Sequence, residues 1–403
     1  MIPQIAKPEA VAQRMTADGE TQATRETGFH PRTSELTRDF RDHRGYWLAG
    51  RYNGGGAIAE YWACRERVAI IDLSALRKFE VLGPDAETLM NFTLSRDVRR
   101  LAIGRVAYSA LCNEAGGMIG DGTLFRLGPD NFRWVGGGDR DGIWLREQAE
   151  ALGLRVWIKP STDLLHNVAV QGPKSREALK EAVWTPPAQP SLEELGWHRF
   201  TVGRLRDFDG RSVVVSRTGT TGGLGYEVWC HPKDAVEVWD AIWRAGEPHG
   251  LAPLGLEALE ILRIEAGTIS AGAEYSEETD PFEAGIGFTV ALETKGEDFL
   301  GREALTGRKE DPQRVLVGLE LDGNEPVVRG ATVFHGSDPV GVITSATRSP
   351  VLEKTVALCR VDAAHGAPGT EVEVASADDK QKRRSAKVVA LPFYDPERKR
   401  LRD

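Results

Sequence analysis

The chain has 403 residues, 51 of them Lys or Arg and 60 Asp or Glu, for a formal charge of −9 at pH 7. That length exceeds what one hydrophobic core ordinarily serves, so two or three domains are expected, and the acidic balance speaks against nucleic acid or an anionic membrane as a partner. No apolar run reaches the roughly 20 residues of a membrane helix, and the N-terminus has no basic stretch followed by an apolar one, which predicts a soluble, cytoplasmic protein.

Residues 1–30 are polar and aperiodic, with Thr16, Thr21, Gln22, Thr24 and Arg25, and read as a mobile extension. From Tyr46 the pattern changes. Residues 60–72 read as a helix running into a buried strand, with 78–82 as the next strand. An internal echo follows: an apolar strand, a Gly-Pro turn and a helix with a polar first turn occur at 79–89 and again at 168–178. Proline suits a turn or a first helical position and the glycine before it ends the strand, so the repetition suggests two copies of one α+β unit.

Further strands are expected at 107–111, 123–127, 132–135, 199–202, 212–216 and 227–230. Helices are expected at 139–152, at 233–245 with Val236, Trp239 and Trp243 on one side, and at 255–266 with Leu259, Leu262 and Ala266 inward. Strands and helices mix without strict alternation, which favours an α+β fold over a doubly wound parallel sheet. After the polar stretch 306–313, short apolar runs at 315–321, 332–334, 341–345, 356–361, 371–374 and 386–391 alternate with Gly, Asp or Pro turns, the pattern of a small antiparallel barrel. The chain should therefore divide into an extension (1–30), an α+β region (31–300) and a β-barrel domain (301–403) ending in a solvated charged tail.

Cys64, Cys112, Cys230 and Cys359 are far apart and form no C-x-x-C pair, and no two of the eight histidines stand four apart. Neither a metal site nor a disulfide framework is supported. Chemistry must come from carboxylates, an arginine and a bound organic cofactor. Two segments carry carboxylates just after glycines that let backbone approach a flat ligand: Tyr108-Ser-Ala-Leu-Cys-Asn-Glu-Ala-Gly-Gly-Met-Ile-Gly-Asp121 and Ser216-Arg-Thr-Gly-Thr-Thr-Gly-Gly-Leu-Gly-Tyr-Glu227. Taken alone, Asp121 also reads as a turn aspartate, Glu227 as a solvent-facing strand residue and Tyr108 as core. Arg263, in an otherwise apolar helix, reads as the partner of a carboxylate.

Together with Gln171-Gly-Pro-Lys174, Leu262-Arg-Ile-Glu-Ala-Gly267, Asp280-Pro-Phe-Glu-Ala-Gly285, Phe299-Leu-Gly-Arg-Glu-Ala-Leu305, Gly341-Val-Ile-Thr-Ser345, Ser349-Pro350 and Leu391-Pro-Phe-Tyr394, these segments run from about Tyr46 to the end of the chain. In this order they resemble the aminomethyltransferase family, the glycine-cleavage T-protein and its relatives. The resemblance implies a cloverleaf of two interleaved α+β units around a folate channel plus a C-terminal antiparallel β-barrel, with tetrahydrofolate as cofactor and no metal. It implies Asp121 as the catalytic group beside the reactive pterin nitrogen, and Tyr108, Tyr226, Glu227 and Arg263 as cofactor-binding residues.

The departures from the family pattern bear on the donor. Asp72-Leu-Ser-Ala-Leu76 stands where T-proteins carry Asp-Val-Ser-His-Met, Gly120-Asp121 replaces a pair of acidic residues, Thr220 replaces a tyrosine and Gly136 an asparagine. The spelling Ile119-Gly-Asp-Gly122 with Val135-Gly136 is similar instead to folate-dependent demethylases. The expected function is a tetrahydrofolate-dependent methyltransferase that demethylates a small O-, S- or N-methylated donor to give 5-methyltetrahydrofolate, its partners being that small methylated substrate and tetrahydrofolate. Two alternatives stay open: a glycine-cleavage aminomethyltransferase, which needs a lipoyl carrier protein, and a folate-binding protein without transfer activity.

Overall fold

The computed structural model describes residues 13–15, 21–323, 325–375 and 382–402. Two sheets and a barrel carry the chain. The five-stranded sheet is antiparallel throughout, in the spatial order Trp157–Pro160, Arg77–Leu82, Asn131–Gly136, Met118–Gly128, Val106–Cys112. The seven-stranded sheet takes Val183–Trp184, Phe200–Leu205, Ser212–Ser216, Gly225–Cys230, His166–Gln171, Val68–Asp72 and Leu251–Pro253, the last pair parallel. Strand Val68–Asp72 belongs to the second sheet and Arg77–Leu82 to the first, so the chain crosses between them through residues 73–76 and returns at His166. That crossing is the interleaving.

The two Gly-Pro units occupy matching places, one in each sheet. Arg77–Leu82 ends at Gly83 (φ +127°) and His166–Gln171 at Gly172 (φ +124°), with helices Ala86–Thr93 and Ser175–Ala182 beyond. A Cβ at Gly83 would lie 2.5 Å from the Arg155 carbonyl and one at Gly172 2.6 Å from that of Arg67, so both turns exclude a side chain on conformation and on space.

Period-two alternation assigns the faces. In the seven-stranded sheet Val68, Ile70, Val168, Val170, Val213, Val215, Tyr226 and Val228 enter a core shared with Val238, Trp239 and Ile242 of helix Ala235–Gly246. That helix buries Val238 rather than the expected Val236. In the five-stranded sheet Phe79, Val81, Leu124, Phe132 and Trp134 pack beneath Trp144 and Leu145 of helix Asp139–Ala151. The alternate faces of the two sheets meet: Val106, Phe125 and Val135 cluster with Trp229, and the Phe125 and Trp229 rings are edge-on with centroids 5.4 Å apart.

Residues 1–12 and 16–20 of the expected N-terminal extension lie outside the described residues, but its end is not a free polar arm. Phe29 is fully buried in the core of the seven-stranded sheet, and Thr27 donates a 2.6 Å hydrogen bond to Asp72. A single aromatic in a polar segment leaves no periodic trace, which is why composition alone read it as mobile. The charged tail is exposed over residues 396–400, and Asp403 lies outside the described residues. All four cysteines are buried free thiols. No helix among the described residues is long and apolar enough to cross a membrane.

Six strands, Arg314–Leu321, Thr332–His335, Asp338–Ser349, Lys354–Asp362, Glu371–Ala375 and Arg383–Val389, close the C-terminal barrel around Val317, Leu319, Val333, Val361, Val374 and Val388. Helix Leu256–Glu265 ties this barrel to the rest through two buried ion pairs in its last turn. Glu265, fully buried, accepts from Arg65 at 2.6 Å, from the Tyr61 hydroxyl at 2.8 Å and from the Ser349 hydroxyl at 2.5 Å. Arg263 donates to Glu274 at 3.0 Å and to Ser345 at 2.7 Å, and Ser345 donates onward to Glu274 at 2.5 Å. Ser345 and Ser349 lie on one barrel strand, each completing one pair.

Removing one partner of a buried pair leaves the other charge uncompensated, which costs about 3–5 kcal/mol. Glu265→Ala should therefore lower unfolding stability by that amount, measured by urea denaturation. A loss under about 1 kcal/mol would mean that Arg65 finds water instead.

Candidate active site between the two sheets

Asp121 lies in the middle of strand Met118–Gly128, opposite Ala110, and not in a turn. Diagonal neighbours on an antiparallel pair share a face, which puts Tyr108 beside it. The Tyr108 hydroxyl donates to Asp121 Oδ2 at 2.6 Å and the Tyr275 hydroxyl to Oδ1 at 2.5 Å, while the Asp121 N–H donates back to Tyr275 Oη at 3.1 Å. Each carboxylate oxygen thus has its own phenol. Burial pushes the Asp121 carboxyl above its ordinary range, and the two hydroxyls pull it part of the way back. Burial and the same carboxylate push both phenols well up, so they stay protonated donors.

The glycines that flank Asp121 are required from behind the sheet rather than by a ligand in front of it. A Cβ at Gly120 would lie 2.4 Å from the Asp141 carboxylate, and one at Gly122 2.3 Å from the Val135 carbonyl and 2.8 Å from the Trp134 ring. In the second glycine-rich segment the constraint comes instead from a side chain of the neighbouring strand. Cβ atoms at Gly219 and Gly225 would fall 2.1 and 2.2 Å from Gln171 Oε1, and Gln171 Nε2 donates to the carbonyls of Thr218 and Tyr226 at 3.2 Å each. These two glycines wrap a buried glutamine, which shapes the loop that leads into Glu227.

Glu227 sits on strand Gly225–Cys230 opposite Ala169, on the face that carries Trp229. It is 8 % exposed, accepts from Thr218 Oγ1 at 2.8 Å and from Asn167 Nδ2 at 3.0 Å, and is pushed up by burial against the pull of Thr218, Lys78 and Asn167. The Asn167 Oδ1 beside it is buried without a hydrogen-bond donor among the described residues. From the facing sheet comes Lys78, fully buried, its Nζ donating to the Ser74 carbonyl at 2.8 Å and standing 5.7 Å from the Trp229 ring centroid. Desolvation lowers Lys78 to about 7, opposed by Asp72 and Glu227.

The site therefore brings Asp121, Tyr108 and Glu227 onto the facing sides of the two sheets, and does not bring Tyr226 there. Adjacent residues on a strand point to opposite faces; Tyr226 is fully buried in the core behind Glu227, its hydroxyl accepting from Arg176 Nε at 3.0 Å. Arg263 is a second correction. Its Nε meets Glu260, one terminal nitrogen meets Glu274 and the Thr268 carbonyl, and the other meets Ser345 and Glu260, which uses all five N–H groups within the protein. Its contribution comes at one remove, because Glu274 directly precedes Tyr275. Sequence reasoning missed Tyr275, Asn167, Thr218 and Lys78. Lys78 and Asn167 lie in strands of mixed polarity, Arg77–Leu82 and His166–Gln171, and Tyr275 in a segment without periodicity, so none of them left a signal.

Lys78 makes a pH prediction. Its folded value of about 7 lies below the 10.5 of a free lysine, so the native chain binds fewer protons in between and its stability falls as pH drops from above 10.5 through 7. Relative to wild type, Lys78→Met should gain melting temperature most at and below neutral pH and progressively less toward pH 10. A difference independent of pH would show that Lys78 titrates normally.

Residues 29–294 match the family model of the GCVT N-terminal domain, and residues 314–395 that of the glycine cleavage T-protein C-terminal barrel domain. The chain is 54 % identical over 393 residues to the trimethylamine-oxide aldolase of Ruegeria pomeroyi, covering 98 % of this chain and 50 % of that protein, so it spans half the length of that relative. It is 34 % identical over 379 residues to the aminomethyltransferase of Streptomyces avermitilis, covering 93 % of this chain and 98 % of the relative, and 38 % identical over 344 residues to that of Symbiobacterium thermophilum, covering 84 % and 89 %. The glycine cleavage system aminomethyltransferase T from Bartonella henselae shares the fold with a TM-score of 0.81 at 25 % identity, over 93 % of this chain and 99 % of that one. These relatives are enzymes, and the aminomethyltransferases of the family use tetrahydrofolate as their one-carbon carrier. With both domain models matched in order and the interleaved sheets and barrel in place, the chain belongs to the aminomethyltransferase family of the glycine-cleavage T-protein.

Proposed function

We propose that this chain is a tetrahydrofolate-dependent one-carbon transferase that demethylates a small O-, S- or N-methylated donor, leaving 5-methyltetrahydrofolate. The observation that carries the reading is the pair of carboxylates on the facing sheets, Asp121 with a phenol on each oxygen and Glu227 beside the unpartnered Asn167 Oδ1. Reduced pterin offers a row of N–H donors along one edge, and a carboxylate next to an amide oxygen is a row of acceptors. A buried acceptor left unmatched costs roughly 1–3 kcal/mol, which a ligand N–H at Asn167 Oδ1 would recover.

Tetrahydrofolate, when bound, supplies the nucleophilic nitrogen. The chain supplies the surroundings. Tyr108 and Tyr275 hold the Asp121 carboxylate in one orientation before any ligand arrives, so its negative charge is already aimed when positive charge develops at a nitrogen bonding to carbon. Asp121 is also the group placed to take up a proton. Glu227 orients the ligand through its donor edge, and Arg263 keeps the segment of Tyr275 in place through Glu274. This reading assigns the transfer site to residues 31–300 and makes the barrel, 301–403, its support.

The donor side follows from Ala75, small and apolar where T-proteins carry histidine, with Leu76 next to it in place of methionine. The Ruegeria relative acts, by its name, on trimethylamine oxide; methylated amines and amine oxides are therefore the first donors to test. A mass-spectrometric screen of such donors with tetrahydrofolate, run with and without an aminomethyl-lipoyl carrier, separates this reading from the glycine-cleavage one.

Tetrahydrofolate should raise the melting temperature by binding the native state alone; no shift at saturating ligand would reject the reading. Glu227→Gln should weaken folate binding by about 1–3 kcal/mol in a calorimetric titration. Asp121→Asn, nearly isosteric, should keep folate affinity while single-turnover transfer falls about 10²-fold or more. A mutant with near-normal transfer would remove Asp121 from the mechanism.

A further inference from the structure

Two of the departures from the family pattern, Gly120 and Gly136, have one structural cause. They lie on neighbouring strands, and the Asp141 carboxylate, from the first turn of helix Asp139–Ala151, fills the space that a side chain at either would need. A Cβ at Gly120 would fall 2.4 Å from Asp141 Oδ1 and one at Gly136 2.0 Å from Oδ2. The acid lost from position 120 has in effect been returned to the same place from a helix. Asp141 is 1 % exposed and accepts from Trp134 Nε1 at 2.8 Å.

We propose that Asp141 is a positioning residue for Asp121: seated behind the strand in the notch between Gly120 and Gly136, its carboxyl keeps one proton for the two acids, so that the pair carries a single negative charge and that charge stays on Asp121. This rests on the role of Asp121 given above. Two neighbouring buried carboxylates, one on the strand and one on the helix behind it, do not both ionise readily, and the partners decide which one keeps the proton. Among the described residues Asp121 has two phenol donors, whereas Asp141 has one indole N–H. The groups facing Asp141 are Trp134 and Asp121 from the sheet, Tyr275 from beyond helix Leu256–Glu265, Arg44 from the turn after strand Phe40–His43, and Asp139 on its own helix. Burial comes first among the causes that lift Asp141 to about 7, with Asp121 and Asp139 adding to it and Trp134 and Arg44 opposing.

The sign of the linkage gives a test that needs no folate. An acid whose folded value is raised from 3.8 to about 7 stabilises the native state at low pH and loses that contribution as pH rises through 7. Asp141→Asn keeps the shape and an acceptor for Trp134 but cannot ionise. Its melting temperature should therefore gain on wild type by about 2 °C or more between pH 5 and pH 8, and the infrared band of a protonated carboxyl seen in wild type near neutral pH should be missing. A melting difference independent of pH, with the band unchanged, overturns the proposal.

The service to Asp121 is read from the pH profile of transfer. A component near pH 7 of about threefold or more in wild type should vanish in Asp141→Asn and return in the double variant Asp141→Gly with Gly120→Asp, which rebuilds the acid from the strand. Superimposable profiles in wild type and Asp141→Asn would reduce Asp141 to an indole acceptor and overturn this part. If Asp121→Asn transfers normally, the function assigned to Asp121 fails, while the melting and infrared results still decide where the proton resides.

Discussion

The buried Arg263–Glu274 pair is the joint on which the site hangs. Glu274 is fully buried, so its charge is tolerable only where Arg263, Ser345 and the Ser270 N–H meet it, and that requirement fixes the backbone at 274. Tyr275 follows at once and reaches across to Asp121. The barrel strand that supplies Ser345 is therefore connected to the carboxylate between the sheets through two side chains. The neighbouring Arg65–Glu265–Ser349 cluster repeats the device with helix Gly56–Glu66 as the third party. The β-barrel thus takes part in fixing Tyr275 and, through it, the carboxylate of Asp121 between the sheets.

The sheets divide their labour by face. One face of each is closed by helices, and in the five-stranded sheet the packing there is tight enough to demand glycine at 120, 122 and 136. The opposite faces keep the polar side chains, and alternation keeps the two sets apart along each strand. Glycine-rich spelling around Asp121 is therefore a record of what lies behind the strand, and around Glu227 a record of the buried Gln171 beside it.

Electrostatics in the space between the sheets favour positive charge. Asp121 and Glu227 are both held by neutral donors, and the lysine between the sheets is weakly basic because it is desolvated. Preorganised acceptors in a dry setting act on a developing cation without having to reorient, which suits transfer of carbon to a nitrogen. Neutral hydroxyls orient the acids without cancelling their charge, as an arginine would.

The sequence alone determined what is periodic or local. Period-two runs located the six barrel strands and most of the sheet strands, the Gly-Pro turns marked the two copies of one unit, and the family blocks singled out Asp121, Tyr108 and Glu227. The face of Tyr226 was legible too, since a residue next to Glu227 on a strand must point the other way. Only the tertiary structure decided that Phe29 is core, that Arg263 is spent inside the protein, and that Tyr275, Asn167 and Asp141 gather around the two carboxylates. The reason is physical. Tyr275 meets Asp121 from 154 positions away and Asn167 meets Glu227 from 60, and contacts at such separations are set by how whole sheets pack, which leaves no repeat along the chain to read.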